Sequence, residues 1–366
     1  MKTKIRPRRA LEKFRERPPM LENRRGMLRL DMNESVGLCS PKIRAALRRL
    51  SSEEIAMYPE KENATVRIAR FFGVSAQELV LTAGIDDGLR LIADVFIERG
   101  RAVLLVEPTF PMYHFHAEQR EARIHSLSCD DDMRFPLDDV LRALKRGPEV
   151  FFLANPNNPT GALLDKRTIE RILDAATGTL VVVDEAYFEF SGVTVLPWIR
   201  GRKNLAVTRT FSKAAGLAGL RIGCLFAHRD TAKSLKRAQA PFPIGIAPLV
   251  AAETALKDAA FTRRAAAEII LGREVLTDGL RKLGVRVFPS AANFVLADLG
   301  ARGRQVIHGL ARRGILIRDQ TASIGWPGFA RITAGKPAQM RRLLRAIEQL
   351  LGRQQATRSL QHSEQR

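Results

Sequence analysis

The residues best suited to chemistry in this chain form one run, Thr210-Phe211-Ser212-Lys213-Ala214-Ala215-Gly216-Leu217-Ala218-Gly219-Leu220-Arg221-Ile222-Gly223. A lysine amine condenses with a carbonyl when neighbouring cations or burial lower its proton affinity, and Arg209 and Arg221 are the cations at hand. The hydroxyls of Thr210 and Ser212 suit a phosphate, and a guanidinium fork at Arg221 suits two of its oxygens. Gly216, Gly219 and Gly223 allow close approach of backbone to ligand. The group such a set would serve is an aldehyde that carries a phosphate. A solvated loop is the plainer reading of this run alone, so the rest of the chain has to supply a partner for a ring nitrogen and a cup for the phosphate.

The elements that would position the run follow from apolar periodicity. Near-continuous apolar runs at 102–106, 150–153, 179–183, 205–207 and 222–226 alternate with helical patterns such as 137–145 and 166–175. This predicts a mostly parallel sheet buried on both faces. Ligands of such sheets sit at the carboxyl ends of the strands. The residues just past the runs are Glu107-Pro108-Thr109-Phe110, then 155–161 with Asn158, then Asp184-Glu185-Ala186-Tyr187, then Thr210 to Lys213. They offer a ring, an amide, a carboxylate with a phenol, and the amine.

That assortment matches a pyridine aldehyde. Asp184 would keep the pyridine nitrogen protonated, which makes the ring an electron sink. Asn158 and Tyr187 would hydrogen-bond a ring oxygen, and Phe110 would stack on the face. A further strand, 78–82, runs into Ala83-Gly84-Ile85-Asp86-Asp87 at a helix start, where free N–H groups favour an anion. Singly, each has a structural reading as cap, turn or core residue. Jointly, in this order at strand ends, the chemical reading prevails.

Past Gly223, helices are expected over 230–240 and 246–275, the latter as two. Short strands at 285–288, 293–297, 314–317 and 329–333 then alternate with helices 303–312 and 337–351, a smaller α+β unit. Within it Arg318 and Arg331 stand amid apolar residues, where an unpaired guanidinium is expensive. An anionic substrate is the expected partner of Arg331; Arg318 can pair with a carboxylate of the protein. The expected division is a basic arm at 1–30, a large domain at 55–260, a small domain from 31–54 plus 261–351, and a disordered tail at 352–366.

Composition narrows the classes. With 366 residues, 45% hydrophobic, the chain can bury a large core, and it lacks an apolar run long enough for a membrane span. It also lacks the apolar stretch of a secretory signal, so a cytoplasmic location is expected. Cys39, Cys129 and Cys224 are scattered, which argues against disulfides or zinc. The net charge of +21 is concentrated at the ends: residues 1–30 hold eleven Lys/Arg against three Glu, and 336–366 hold seven against two. Solvated ends, not nucleic-acid binding, are expected from this. His114-x-His116 has no third ligand at metal spacing.

Taken together, Asn157-Asn158-Pro159-Thr160-Gly161, Asp184-Glu185-Ala186-Tyr187, Ser212-Lys213 and Leu217-Ala218-Gly219-Leu220-Arg221-Ile222-Gly223 resemble the fold-type I pyridoxal-phosphate aminotransferases of class I/II, and within them the histidinol-phosphate aminotransferase branch. The likeness covers about 28–351. It implies a homodimer in which Tyr58 crosses the interface to the partner's phosphate site. It implies that Lys213 holds pyridoxal 5′-phosphate and moves the substrate proton, with Asp184 on the pyridine nitrogen and Asn158 and Tyr187 on the ring hydroxyl. Gly84, Ile85, Asp86, Thr210, Ser212 and Arg221 would hold the phosphate. Arg331, with Arg318, would meet the substrate's anionic end.

The chain departs from the family pattern in three places. The Asn-Glu-Asn-Pro-x-Gly-Pro opening, which lines the substrate entrance in relatives, reads Asn33-Glu34-Ser35-Val36-Gly37-Leu38-Cys39; Gly-Ser-Asp-Glu reads Gly84-Ile85-Asp86-Asp87; and the stacking tyrosine is Phe110. Asn33 therefore joins the expected substrate-binding residues. The implied activity is amino transfer between glutamate and a phosphorylated or aromatic keto acceptor. Aromatic or secondary-metabolism aminotransferases and phosphothreonine-decarboxylase relatives share the pattern. A non-catalytic DNA-binding regulator is the rival from another class, and residues 1–30 are too short for the helix-turn-helix domain it would carry.

Overall fold

In a computed structural model of the chain, residues 5–6, 8–14, 24–36 and 39–363 are described, with 9, 13 and 353–363 described by their backbone alone. Twelve strands form two sheets: β1 (Leu28–Leu30), β2 (Leu79–Thr82), β3 (Ala102–Glu107), β4 (Arg123–Ser128), β5 (Val150–Ala154), β6 (Leu180–Asp184), β7 (Leu205–Thr210), β8 (Gly223–Ala227), β9 (Arg286–Val287), β10 (Phe294–Asp298), β11 (Ile315–Asp319) and β12 (Phe329–Thr333). The large sheet has the order β2-β8-β7-β6-β5-β3-β4, and the small one β1-β11-β12-β10-β9.

Within the large sheet β8 alone runs against its neighbours. The carboxyl ends of β2, β3, β5, β6 and β7 therefore share one edge, and the start of β8 joins them, since Gly223 is in register with both Thr82 and Thr210. Arg221 arrives at that edge for this reason. Both faces are covered: Leu104, Val106, Val181 and Val183 enter one core, while Val103, Leu105, Leu180 and Val182 enter the other. Alternate side chains of a strand point to opposite faces, so an unbroken apolar run is what a two-sided burial requires.

The expected strands and helices of the large unit are present, with one difference. β4 was not anticipated; Arg-Ile-His-Ser-Leu-Ser is half exposed at the sheet edge and carries neither a continuous nor a cleanly alternating apolar signal. His114 and His116 lie on a helix, Pro111–Gln119, and the described residues contain no cluster of three metal-ligating groups.

In the small unit the expected strands all form, and the long apolar segment after Gly245 folds as the two helices Ile246–Lys257 and Ala259–Lys282. Leu28–Leu30, counted with the arm at 1–30, instead extends the small sheet as β1, parallel to β11. Its two leucines are buried in the small core, which outweighs the basic surroundings that suggested a solvated end. Much of 1–30 lies outside the described residues, but Phe14 meets Phe115 edge-on at 5.2 Å. Ile43, placed by the sequence in the small unit, packs in the core of the large one.

The last helix starts at Pro337 and its backbone continues to Ser363, past the expected end of order at 351. Gln, Arg, Leu and Ala are good helix formers, so nothing in that composition stops it. Among the described residues no helix is long and apolar enough to cross a membrane.

Candidate active site

Each strand end at the shared edge contributes a group. Asp184, the last residue of β6, is buried and accepts three hydrogen bonds: from Tyr113 Oη at 2.8 Å, Thr208 Oγ1 at 2.8 Å and the Ala186 N–H at 3.1 Å. Burial pushes its carboxyl pKa up, and these donors pull against that shift. Sequence reasoning missed Tyr113, because helix position and an apolar neighbourhood made it look like core. Its ring is core, stacked on Phe152 at 5.1 Å and edge-on to Phe110 at 5.7 Å, while its hydroxyl serves the carboxylate.

Lys213 follows β7, whose Thr208 is in register with Asp184. The Lys213 amine donates to the Met32 carbonyl at 3.1 Å and lies 5.9 Å from the Tyr187 ring centre. Its pKa is pushed down to about 8, by burial first and then by the Arg331 and Arg221 charges, with Glu34 and Asp86 opposing. Arg209, expected to help, is elsewhere: it pairs with buried Glu185 at 2.7 Å and lies over Phe188 at 3.4 Å. The cation the sequence could not place beside Lys213 is Arg331, brought in from the small sheet.

Arg331 is 9% exposed. It donates from Nη1 to Asn158 Oδ1 at 2.6 Å and from Nη2 to the Asp31 carbonyl at 2.7 Å, while its Nε has no partner among the described residues. Burial and the Arg318 charge lower its pKa. Arg318 stands opposite Arg331 in the β11–β12 register but is exposed. Neither arginine forms an ion pair with a described carboxylate. A buried cation held only by neutral acceptors, with its Nε–H and further N–H groups unused, is a seat prepared for an anion.

Asn158 spends its carbonyl oxygen on Arg331, which leaves its N–H groups to donate. The loop that carries Asn158 is fixed by Gly161, whose φ is +79° and whose added Cβ would fall 2.2 Å from Ser290 Oγ. Only glycine lets this loop dock on the small unit. Tyr187 is buried and its hydroxyl accepts from Asn33 Nδ2 at 2.9 Å. Asn33, expected at the substrate entrance, is 1% exposed with its polar atoms engaged by Tyr187, Thr333 and Asn293.

The phosphate cup also assembles. Gly84 has φ +81° and precedes the helix Ile85–Phe96; a Cβ there would lie 2.4 Å from Arg221 Nη2. Arg221, itself at φ +50°, reaches Ser212 Oγ at 3.4 Å and Asp86 at 3.5 Å. Thr210 Oγ1 accepts the Ser212 N–H at 3.0 Å. Helix N–H groups, two hydroxyls and a guanidinium thus converge on a space that any side chain at position 84 would fill, which fits a phosphate. Tyr58 is 75% exposed and stacks on Phe242 at 4.0 Å, on the surface of its own chain.

Pyridoxal 5′-phosphate fits these residues group by group. An amine with lowered pKa, a buried carboxylate, two donors for a ring oxygen and a phosphate cup lie along one edge.

The comparisons agree with this geometry. Residues 25–347 match the family model described as aminotransferase class I and II. Histidinol-phosphate aminotransferase 1 of Carboxydothermus hydrogenoformans is 34% identical over 329 residues, covering 88% of this chain and 93% of that protein. The histidinol-phosphate aminotransferase of Roseiflexus castenholzii is 36% identical over 335 residues, covering 88% and 90%. Among solved structures, the histidinol-phosphate aminotransferase of Sinorhizobium meliloti in complex with pyridoxal-5′-phosphate aligns with a TM-score of 0.85 at 26% identity, covering 94% of this chain and 97% of that one. With its lysine, carboxylate and phosphate cup on one sheet edge and its length matched nearly end to end, the chain belongs to the aminotransferase class I and II family.

Proposed function

We propose that the protein moves an amino group between glutamate/2-oxoglutarate and a phosphorylated or aromatic partner, foremost L-histidinol phosphate and imidazole acetol phosphate. It is a pyridoxal-phosphate-dependent transaminase. The cofactor, when bound, supplies an aldehyde and a ring that accepts electrons. Lys213 Nζ would be the amine that holds that aldehyde and the base for the proton on the carbon bearing the donor's amino group. Asp184 holds the ring nitrogen, Asn158 and Tyr187 the ring oxygen, Phe110 the ring face, and the cup of Gly84, Ile85, Asp86, Thr210, Ser212 and Arg221 the phosphate. Arg331, assisted by Arg318, takes the substrate's anionic end.

The observation that carries this reading is the pairing of the Lys213 amine, at a pKa of about 8, with a buried Arg331 that lacks a counter-ion. Both are expensive without a partner, and one anionic amine would satisfy both. The preference for a phosphorylated partner draws on the names of the relatives. A division into large and small domains is supported by the separate cores around the two sheets.

A homodimer is supported by Ile55, Met57, Tyr58 and Phe242, all more than half exposed on one chain. A cytoplasmic setting suits three free cysteines.

The test has two arms. Borohydride treatment of the holoenzyme should fix the cofactor on Lys213, and Lys213→Ala should lose both the visible absorbance and turnover. A panel of keto acceptors with glutamate should then rank imidazole acetol phosphate first. Retained turnover in Lys213→Ala would remove the mechanism; a better non-phosphorylated acceptor would remove the substrate.

A further inference from the structure

The opening Asn33-Glu34-Ser35 was expected to line the substrate entrance, yet Asn33 is buried behind Tyr187. We propose that Asn33 is a positioning residue: it sets the direction of the Tyr187 hydroxyl, so that Tyr187 donates its proton to the ring oxygen of the bound cofactor. This rests on the function proposed above.

The argument is one of hydrogen-bond polarity. Thr333 Oγ1 accepts the Asn33 backbone N–H at 3.0 Å and lies 3.2 Å from Asn33 Oδ1. Thr333 is fully buried, and Asn33 supplies the only acceptor for its proton among the described residues. If the Asn33 amide were turned over, its NH2 would face the threonine hydroxyl and that proton would be stranded. An amide orientation is assigned from its network, and this network admits one in which both Asn33 side-chain atoms and the Thr333 hydroxyl proton are paired. Asn33 Nδ2 is thus the donor to Tyr187 Oη, at 2.9 Å.

A phenol has one proton and, here, one lone pair already occupied. The Tyr187 proton has no acceptor among the described residues and is free for the cleft. A donor behind a hydroxyl also strengthens the bond that hydroxyl gives.

The backbone supports the same role. Asn33 holds φ at +53°, a left-handed conformation that asparagine tolerates better than other side chains. Its carbonyl accepts from Asn293 Nδ2 at 3.1 Å, so the residue is tied to the small unit at Asn293 and Thr333 while its amide reaches Tyr187 on the large one. A residue that merely filled space would not need all four of its polar atoms, two of the backbone and two of the side chain, in use.

The experiment is a spectrophotometric pH titration of the holoenzyme, reading the midpoint of the cofactor's absorbance change. Without Asn33 behind it Tyr187 donates less strongly, the ring oxygen becomes more basic, and the proton it shares with the lysine nitrogen is held to higher pH. Asn33→Ala should therefore raise the midpoint by roughly 0.1–0.7 pH unit, the size expected if a donor behind a hydroxyl adds about a tenth to a third to a charge-assisted bond. In a Tyr187→Phe background the same change should move the midpoint by less than about 0.1 unit, because the route through the phenol is gone.

Thr333→Val, which keeps Asn33 but frees its amide to turn, should shift the midpoint in the same direction, and it carries the test if Asn33→Ala does not fold. An unmoved or lowered midpoint in the single variants overturns the proposal, as does an undiminished shift in the Tyr187→Phe background. If the unmodified protein fails to take up pyridoxal phosphate on Lys213, the function proposed above falls, and this inference with it. If it titrates normally and the variants do not move, only this inference falls.

Discussion

Arg331→Met is the perturbation whose consequence the structure specifies most fully. The guanidinium is 9% exposed, holds two neutral oxygens at 2.6 and 2.7 Å, and leaves Nε without a partner among the described residues. A carboxylate presented to its fork would gain two charge-assisted bonds, each worth about 1.5–3 kcal/mol. Together these amount to roughly 3–6 kcal/mol, or about 10²- to 10⁴-fold in affinity.

Methionine keeps much of the apolar stem but none of the charge. It also relieves the burial of an uncompensated cation, which offsets the loss of hydrogen bonds to Asn158 and Asp31. The variant should therefore fold and bind cofactor, with its urea midpoint little changed. Its half-saturating glutamate concentration, measured by stopped-flow single turnover, should rise at least about 100-fold. A simple alkylamine without a carboxylate should react equally slowly with both proteins. Half-saturation within threefold of the parent would refute the assignment, since another group would then have to be the main anion seat.

Four further expectations follow from the geometry. Because the Lys213 amine is pushed down to about 8, the rate at which the apoenzyme captures pyridoxal phosphate should climb with pH to a midpoint near that value, and a midpoint near 10.5 would show the amine to be unperturbed. The same shift makes stability pH-dependent: the unfolded lysine keeps its proton up to about 10.5 while the folded one releases it near 8, so the contribution of this group to apoenzyme stability should grow as pH rises through that window, which denaturant melts against Lys213→Met can isolate. Gly84→Ala places a Cβ 2.4 Å from Arg221 Nη2 in a backbone conformation alanine resists, so cofactor affinity should fall by roughly tenfold or more in equilibrium dialysis while Lys213 stays reactive towards free aldehydes. Glu185→Gln removes the partner of buried Arg209 and should destabilise the fold by about 3–5 kcal/mol in urea, with the absorbance of any folded holoenzyme unchanged.

The lysine, the carboxylate, the phenol and the phosphate-binding turn were legible because a parallel sheet sends its ligands to one edge, and apolar runs announce where each strand stops. What was not legible came from distant parts of the chain meeting in three dimensions. Arg209 is four residues from Lys213 and looked like its electrostatic neighbour, but alternation along β7 turns it away to Glu185, and the acting cation is Arg331 from a different sheet. Tyr113 read as core since periodicity reports where a ring goes and is silent about its hydroxyl. Asn33 read as an entrance residue because the opening it belongs to lines the substrate entrance in the family the chain resembles. It is buried because Thr333, Asn293 and Tyr187, none within 150 positions of it, supply the partners that its polar atoms need. The local pattern thus identified the groups proposed to hold the cofactor, and the groups that orient them became visible only once the small sheet was laid against the large one. Changes at Asn33 or Tyr113 should accordingly alter the cofactor's absorbance and its pH midpoint more than its affinity, whereas changes in the phosphate cup should do the reverse.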